Sequence, residues 1–118
     1  MKYKYLSSMS TLLLITDESD TITLDMSKDE AFLMAGYMSE YSQKAVSFGM
    51  SEGALSDKYK VTIKPVNGNS LEYTFKCKEH GAWADVGKMR LTSDDGLQGI
   101  LTKLKAETRI LSRDLGYI

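Results

Sequence analysis

A thiol and an imidazole, Cys77 and His80, lie three residues apart in the sequence, with the carboxylates of Glu79 and Asp85 close by. A thiol beside a histidine base is the arrangement of an activated cysteine nucleophile, and the same residue types ligate zinc. However, the chain has one cysteine and one histidine, whereas tetrahedral metal sites are completed by further ligands of these types. The sequence therefore predicts no catalytic residue and no metal site here.

The glycines also do not form a phosphate-binding loop. Gly96 and Gly99 lie near the start of the second predicted helix, but their spacing matches neither the dinucleotide-binding fingerprint nor the P-loop. They more simply permit close packing of the helix backbone, at a cost in helix propensity. We therefore expect no cofactor, and we expect the protein not to be an enzyme.

Positively charged residues alternate with apolar residues along three predicted strands between residues 58 and 92. Because successive strand residues point to opposite faces of a sheet, this alternation gathers the charges on one face. The basic face, with Glu72 as the one acid among its cations, consists of Lys58, Lys60, Lys64, Lys76, Lys78, Lys88 and Arg90.

Two interpretations of the basic face are open. It can bind phosphates or an acidic partner, or it can be a solvated face whose lysines protect an edge strand from aggregation. Proteins that bind single-stranded nucleic acid stack bases on aromatic residues of such a face. Here Tyr59, Tyr73 and Phe75 fall on the apolar side, which weakens base stacking and leaves phosphate contact or a protein partner. Cys77 alternates with them and is expected to be buried.

Three other aromatic residues are candidate anchors for a partner protein. Trp83 lies between glycines in a predicted loop over residues 79–87, where it can anchor an interface or fold onto the sheet to close the core. Tyr37 and Tyr41 belong to a first helix already rich in methionine, which gives more aromatic and thioether surface than one buried face needs. Their alternative role is ordinary core packing.

A strand that runs into a hydroxyl residue, acidic residues and an amphipathic helix occurs twice. The first copy has the capping box Ser27–Glu30 and predicts a helix that ends at about Ser47. The second copy has Thr92 before a predicted helix over residues 94–114. In each copy the hydroxyl can accept a hydrogen bond from a free amide of the first turn, and the acids favour the positive end of the helix dipole. We expect both hydroxyl residues to be helix caps.

The second helix carries an apolar stripe with coiled-coil spacing, interrupted once by a threonine. An ordinary helix packed on a sheet needs the same stripe, and we favour that interpretation. The alternative is a homo-oligomer formed through the helix over residues 97–115. A separate basic row, Lys105, Arg109 and Arg113, complements the helix dipole without any ligand. The stripe consists of Leu97, Leu101, Leu104, Thr108, Leu111 and Leu115.

The elements together predict an α+β fold, with a mostly antiparallel sheet of about six short strands and two long amphipathic helices on one face, in the order β-β-β-α-β-β-β-α. We expect one domain over residues 1–118, with similar halves 1–48 and 58–118 joined by a connector at 49–57. A polar turn is expected at 17–20. The predicted strands are 2–6, 11–16, 21–26, 58–65, 70–78 and 88–92.

Charge is distributed unevenly, although the net charge of the chain is only −1. Residues 1–57 carry four lysines and nine acidic residues, a net charge of −5, whereas residues 58–118 carry eleven basic and seven acidic residues, a net charge of +4. This asymmetry suggests two surfaces that meet different partners. No apolar run is long enough for a membrane span or a signal peptide, and a single cysteine fits a reducing compartment, so we expect a cytoplasmic protein.

These features favour a small non-catalytic binding protein that contacts another protein. It would act as a regulator or inhibitor of the type that phages and mobile elements encode. The alternative is a nucleic-acid-binding module that uses the basic face. The candidate binding residues are the basic face together with Trp83, Tyr37 and Tyr41.

Overall fold

The structure is a computed structural model that describes residues 1–16, 18 and 20–118. The α+β class predicted from the sequence is confirmed, but the strands in this described part of the chain number seven rather than about six and form two sheets rather than one. The predicted turn at 17–20 falls partly on Asp17 and Ser19, which lie outside the described residues. The elements are β1 (Lys2–Leu6), a 3-10 turn (Ser7–Met9), β2 (Thr11–Ile15), β3 (Thr21–Asp25), α1 (Lys28–Phe48), β4 (Ser51–Leu55), β5 (Tyr59–Asn67), β6 (Ser70–Glu79), β7 (Ala82–Thr92) and α2 (Gly96–Asp114).

Both sheets are antiparallel. β1, β2 and β3 form a three-stranded sheet in that order, and β4, β5, β6 and β7 form a four-stranded sheet in that order. Each strand therefore pairs with its neighbour in the sequence, and α1 leads from the first sheet to the second. The predicted hairpin over residues 58–78 is present as β5 and β6, with Asn67 opposite Ser70 at its turn.

β4 lies within the segment 49–57 that the sequence predicts to be a connector. Its first three residues, Ser51, Glu52 and Gly53, have low β-propensity, so nothing local marks the strand. It forms because it pairs with β5 along its whole length. In addition, the ring of Tyr41 in α1 packs directly on Gly53, where any Cβ would overlap the ring. β4 is thus specified by its pairing with β5 and by the packing of Tyr41, not by its own sequence.

β6 and β7 are joined by a two-residue turn in the segment predicted to be a loop over residues 79–87. His80 and Gly81 form this turn with φ angles of 51° and 81°, the geometry of a tight hairpin in which both central residues have positive φ. β7 consequently begins at Ala82 and is 11 residues long, whereas the sequence predicts a short strand that begins at Lys88.

The predicted cap of α1 is confirmed. Ser27 Oγ accepts a hydrogen bond from the amide of Glu30 at 3.3 Å, and the Glu30 carboxylate accepts one from the amide of Ser27 at 3.1 Å. This reciprocal pair is a complete capping box. At the other end, Gly49 adopts a φ of 87° and donates its amide to the Ala45 carbonyl at 2.8 Å, which ends the helix.

The predicted Thr92 cap of α2 is wrong. Thr92 is the last residue of β7, and its hydroxyl lies 3.0 Å from that of Ser70 on β6, because the β6–β7 ladder continues to this pair. The next residue, Ser93, is buried and accepts a hydrogen bond from the amide of Asp95 at 3.2 Å. The helix then begins at Gly96, two residues later than the sequence predicts.

The two helices pack on the inner faces of the sheets around one hydrophobic core. α1 contacts β4 and β5, α2 contacts β1, β6 and β7, and the helices contact each other. Within the described residues, neither helix has the length and apolar character needed to cross a membrane. The α2 stripe faces the inside of the single chain, as expected for a helix packed on a sheet, and Leu97 in it is only partly buried. The buried members of the stripe are Leu101, Leu104, Leu111 and Leu115.

A backbone carbonyl at the end of β3 connects the two sheets. The Asp25 carbonyl oxygen accepts hydrogen bonds from Lys58 Nζ at 2.6 Å and from the Tyr59 hydroxyl at 2.7 Å. Burial, followed by the nearby charges of Cys77 and Asp25, raises the pKa of Tyr59 to about 12. The hydroxyl of Tyr59 therefore remains a donor across the physiological pH range.

Ser27→Ala should lower the free energy of unfolding by about 1 kcal/mol, because the amide of Glu30 loses its side-chain acceptor. The matched control is Ser47→Ala, which removes an exposed hydroxyl near the other end of α1. It should leave stability unchanged or slightly higher, because alanine has the greater helix propensity. Urea denaturation measures both changes, and a Ser27→Ala midpoint equal to that of the wild type would contradict the capping role.

Stability should fall as the pH rises from about 10 to about 12. In the unfolded chain Tyr59 ionises near its ordinary pKa of about 10, whereas in the folded protein it keeps its proton up to a pKa of about 12. The unfolded state therefore binds fewer protons in this window, and the free energy of unfolding decreases. Tyr59→Phe should reduce the shift in urea midpoint between about pH 9 and about pH 11. A variant with the full wild-type shift would show that Tyr59 is not its source.

Candidate functional site

The register of β5, β6 and β7 places most of the basic face on the outer side of the four-stranded sheet, away from the helices. Lys60 is opposite Lys76, and Glu72 lies between Lys64 on one side and Arg90 on the other. The residues that alternate with them on β5 and β6 are buried on the inner side. We call this outer side of the four-stranded sheet the outer sheet face.

Lys58 departs from the predicted arrangement. Its ammonium group donates to the Asp25 carbonyl and lies 5.0 Å from the centre of the Tyr59 ring, so it helps to join the two sheets. Lys78 and Lys88 are exposed. They follow the predicted alternation, with Lys78 opposite Trp83 and Lys88 opposite Thr74.

Further carboxylates lie among the cations of the outer sheet face. The expectation that Glu72 is the one acid there is wrong, because β4 adds Glu52 and the first half of β7 adds Asp85. The sequence does not assign these two residues to the face, because it predicts a connector at Glu52 and a loop at Asp85. The ion pairs join Glu52 to Lys60 at 2.7 Å, Glu72 to Lys64 at 3.5 Å, Glu72 to Arg90 at 3.5 Å, and Asp85 to Lys76 at 4.0 Å.

The neighbouring cations favour the ionised forms of Glu52 and Glu72. A hydrogen bond from Lys60, opposed in part by burial, lowers the pKa of Glu52. Partial burial raises the pKa of Glu72, but the charges and hydrogen bonds of Lys64 and Arg90 outweigh it, and the net shift is downward. The outer sheet face is therefore a mosaic of paired charges. Exposed pairs of this kind contribute little to stability.

Acidic residues from the connection between β2 and β3 add to this mosaic. A cleft of about 250 Å³ at the edge of the face is lined by Lys88 and Arg90 together with Glu72, Glu18 and Asp20. Carboxylates so close to the cations weaken the positive potential at that end of the sheet.

Trp83 lies on the outer sheet face, as part of β7, rather than in a loop or in the core. It is half-buried. The ammonium groups of Lys60 and Lys78 lie 5.3 Å and 5.8 Å from the centre of its ring, within the range of cation–π interaction. The one tryptophan of the chain therefore contacts two cations on the face that also carries the ion pairs.

A β-bulge in β7 brings Trp83 to this face. The register between β6 and β7 shifts by one residue between Phe75 and Lys76, which leaves Val86 as the extra residue of β7. With strict alternation, Trp83 would point to the side of the sheet opposite Lys88. Alternation in the sequence therefore cannot place Trp83, since the bulge depends on how the two strands pair.

Tyr37 and Tyr41 do not join this surface. Tyr41 packs on Gly53 from the helix side of the four-stranded sheet, and its ring centre is 5.8 Å from that of Tyr37. Tyr37 is half-buried and lines a groove between α1 and α2. The binding residues predicted from the sequence thus fall on two surfaces, on opposite sides of the sheet.

Cys77 and His80 occupy different environments. Cys77 lies on the inner side of β6, opposite Tyr59, and is half-buried rather than buried, since it is close to the turn end of the hairpin. His80 is exposed in that turn. The thiol donates a weak hydrogen bond to the Lys78 carbonyl at 3.9 Å, not to the imidazole.

Trp83→Ala should lower the free energy of unfolding by about 1–2 kcal/mol, through the loss of a partly buried ring and two exposed cation–π contacts. Tyr73→Ala is the core comparison and should cost about 3–5 kcal/mol, because Tyr73 is fully buried. Urea denaturation of both variants gives the two values. A loss for Trp83→Ala as large as that for Tyr73→Ala would be inconsistent with a surface position.

The outer sheet face offers an aromatic ring, cations and carboxylates side by side. These are the groups through which proteins recognise other macromolecules. Comparisons of the chain with protein-family models, with curated proteins and with solved structures found no match.

Proposed function

We propose that this protein is a small non-catalytic binding protein that acts through protein–protein contact at the outer sheet face. The observation that carries the proposal is the position of Trp83 on that face, within cation–π range of Lys60 and Lys78. Tryptophan is strongly enriched among the residues that dominate the binding energy of protein interfaces. In this proposal the protein acts in the cytoplasm as a regulator or inhibitor, of the type that phages and mobile elements encode.

The mixed charge of the outer sheet face favours a protein partner over nucleic acid. Glu52, Glu72 and Asp85 pair with cations that a polyanion would need. Phosphates bound there would either compete with these carboxylates or face them, and both arrangements cost electrostatic energy. A protein partner can present charges of both signs and so match the mosaic, which favours specific and fast association.

Nucleic acid is the second candidate, and one observation favours it. Trp83 lies on the charged side of the sheet, where an aromatic ring can stack a base while neighbouring lysines contact phosphates. Lys78 and Lys88 are exposed on that side. The expectation that Tyr59, Tyr73 and Phe75 face the apolar side is confirmed, whereas Trp83, which the sequence predicts to lie in a loop, lies on the charged side.

Partner capture by wild type and by surface variants tests the proposal. The captured protein is identified and purified, and its affinity for each variant is measured by calorimetry. We expect Trp83→Ala and Lys60→Glu/Lys76→Glu each to weaken binding by about tenfold or more. The matched control is Lys2→Glu/Lys4→Glu, which reverses two exposed charges on β1 and should leave affinity unchanged. Equal affinities for all variants would show that the outer sheet face does not contact the partner.

Titration with nucleic acid separates the two candidates. Because Trp83 is the single tryptophan, tryptophan fluorescence excited at wavelengths that tyrosine does not absorb reports on the outer sheet face. We expect no quenching by a single-stranded oligothymidylate or by a duplex at about 0.15 M salt. Tight binding that quenches Trp83, disappears in Lys60→Glu/Lys76→Glu and weakens with a log–log salt slope of about −0.7 to −0.9 per phosphate would overturn the proposal.

A further inference from the structure

A groove of about 350 Å³ lies between α1 and α2, on the opposite side of the molecule from the outer sheet face. Its α1 wall is mainly apolar and aromatic, and Leu33 in that wall is 48% exposed, which is high for a large apolar side chain. The groove is lined by Phe32, Leu33, Gly36, Tyr37 and Glu40 of α1 and by Thr108 and Ser112 of α2.

Gly36 in this groove is not explained by the packing of the chain itself. It is exposed in the middle of α1, and a Cβ built on it would meet nothing within 4 Å. Gly53 is different, because a side chain there would overlap Tyr41. A glycine inside a helix costs about 1 kcal/mol relative to alanine. What Gly36 provides in return is bare helix backbone that another molecule can approach closely.

The α2 wall presents no free hydroxyl donor. The Thr108 hydroxyl donates to the Leu104 carbonyl at 2.7 Å, and the Ser112 hydroxyl donates to the Thr108 carbonyl at 2.8 Å. At the far end, the Glu40 carboxylate is 3.1 Å from Lys44 Nζ. The Thr108 and Ser112 hydroxyls and the Glu40 carboxylate are thus already engaged, so apolar side chains can pack against the α2 wall without leaving its hydroxyl donors unsatisfied.

A row of cations lies beside the α2 wall of the groove, whereas Glu40 lines its α1 wall and the Asp114 carboxylate lies 3.9 Å from Arg113. Lys105, Arg109 and Arg113 are exposed and follow each other at i, i+4 spacing along α2, next to the wall formed by Thr108 and Ser112. Arg109 and Arg113 also line a second depression of about 350 Å³ with Ile110 and Ile118. A molecule that fills the groove therefore meets cations along the α2 side, and carboxylates on its own surface would be complementary to them.

A second copy of the chain matches this surface poorly. Two antiparallel α1 helices crossing at Gly36 would place Lys44 of one copy opposite Lys28 of the other, because both lysines are eight residues from Gly36. Like charges in these positions repel. The charge pattern instead calls for a partner of different sequence.

We propose that the groove binds an amphipathic α-helix of a partner protein. Apolar residues of that helix pack over Gly36 and against Leu33 and Tyr37, and its acidic residues lie along the side that faces Arg109 and Arg113. Helices bind grooves in this way through apolar residues at i, i+3, i+4 and i+7. The groove is a second binding surface, separate from the outer sheet face, so it does not depend on the function proposed for that face.

Two synthetic helical peptides of about 20 residues, roughly the length of α1, test the proposal. Both carry leucine and alanine at i, i+3, i+4 and i+7, and they differ only in having glutamate or lysine along one flank. In fluorescence anisotropy we expect the glutamate peptide to bind the wild type about tenfold or more tightly than the lysine peptide. Arg109→Glu/Arg113→Glu should reverse this preference. Equal binding of both peptides, or no binding of either, would overturn the proposal.

Gly36→Leu separates binding from folding. The new side chain fills the groove and should weaken the glutamate peptide about tenfold or more, while the urea midpoint rises because leucine has the higher helix propensity. The matched control, Gln43→Leu, adds the same exposed side chain to α1 outside the groove and should leave binding unchanged, as should Trp83→Ala. Unchanged binding by Gly36→Leu would overturn the proposal. So would a wild-type dimer in sedimentation analysis that Gly36→Leu disperses, since the occupant would then be a second copy.

Discussion

Burial of the inner side chains of β6 against the two helices is the interaction on which the rest of the molecule depends. Leu71, Tyr73 and Phe75 are fully buried, and β6 pairs with β5 on one side and with β7 on the other. The Tyr73 hydroxyl lies 2.8 Å from the Ser42 hydroxyl of α1, so its polar atom is satisfied inside the core. Because strand residues alternate, fixing these residues inward also determines which residues of β6 face solvent.

Features that depend on local sequence could be predicted. The capping box of Ser27 needs only residues within one helical turn, and the β5–β6 hairpin needs only alternation on each side of a turn. β4 could not be predicted, since Gly53 is a poor strand residue that becomes suitable only beneath the Tyr41 ring. Thr92 has the residue type of a cap, but a longer strand pairing decides its conformation.

The candidate site likewise has one part that the sequence predicts and another that depends on tertiary structure. Alternation correctly gathers Lys60, Lys76 and their neighbours on one face, because period two is a property of any strand. The acids that pair with them could not be predicted, since Glu52 and Asp85 reach the face only through β4 and the bulged half of β7. The sequence thus predicts a basic face, whereas in the folded protein the same face carries charges of both signs around the ring of Trp83. A mixed-charge face suits a protein partner better than a polyanion.

The extra residue at Val86 also restricts how the β6–β7 hairpin can change in length during evolution. Two residues inserted or deleted on the turn side of the bulge preserve the orientation of every side chain. A single-residue change reverses it, which would turn Trp83 and Asp85 to the side of the sheet that carries Cys77 and bring Ala84 to the outer sheet face. Related sequences that keep this surface should therefore differ in the hairpin by even numbers of residues, or should pair an odd change with loss or gain of the bulge.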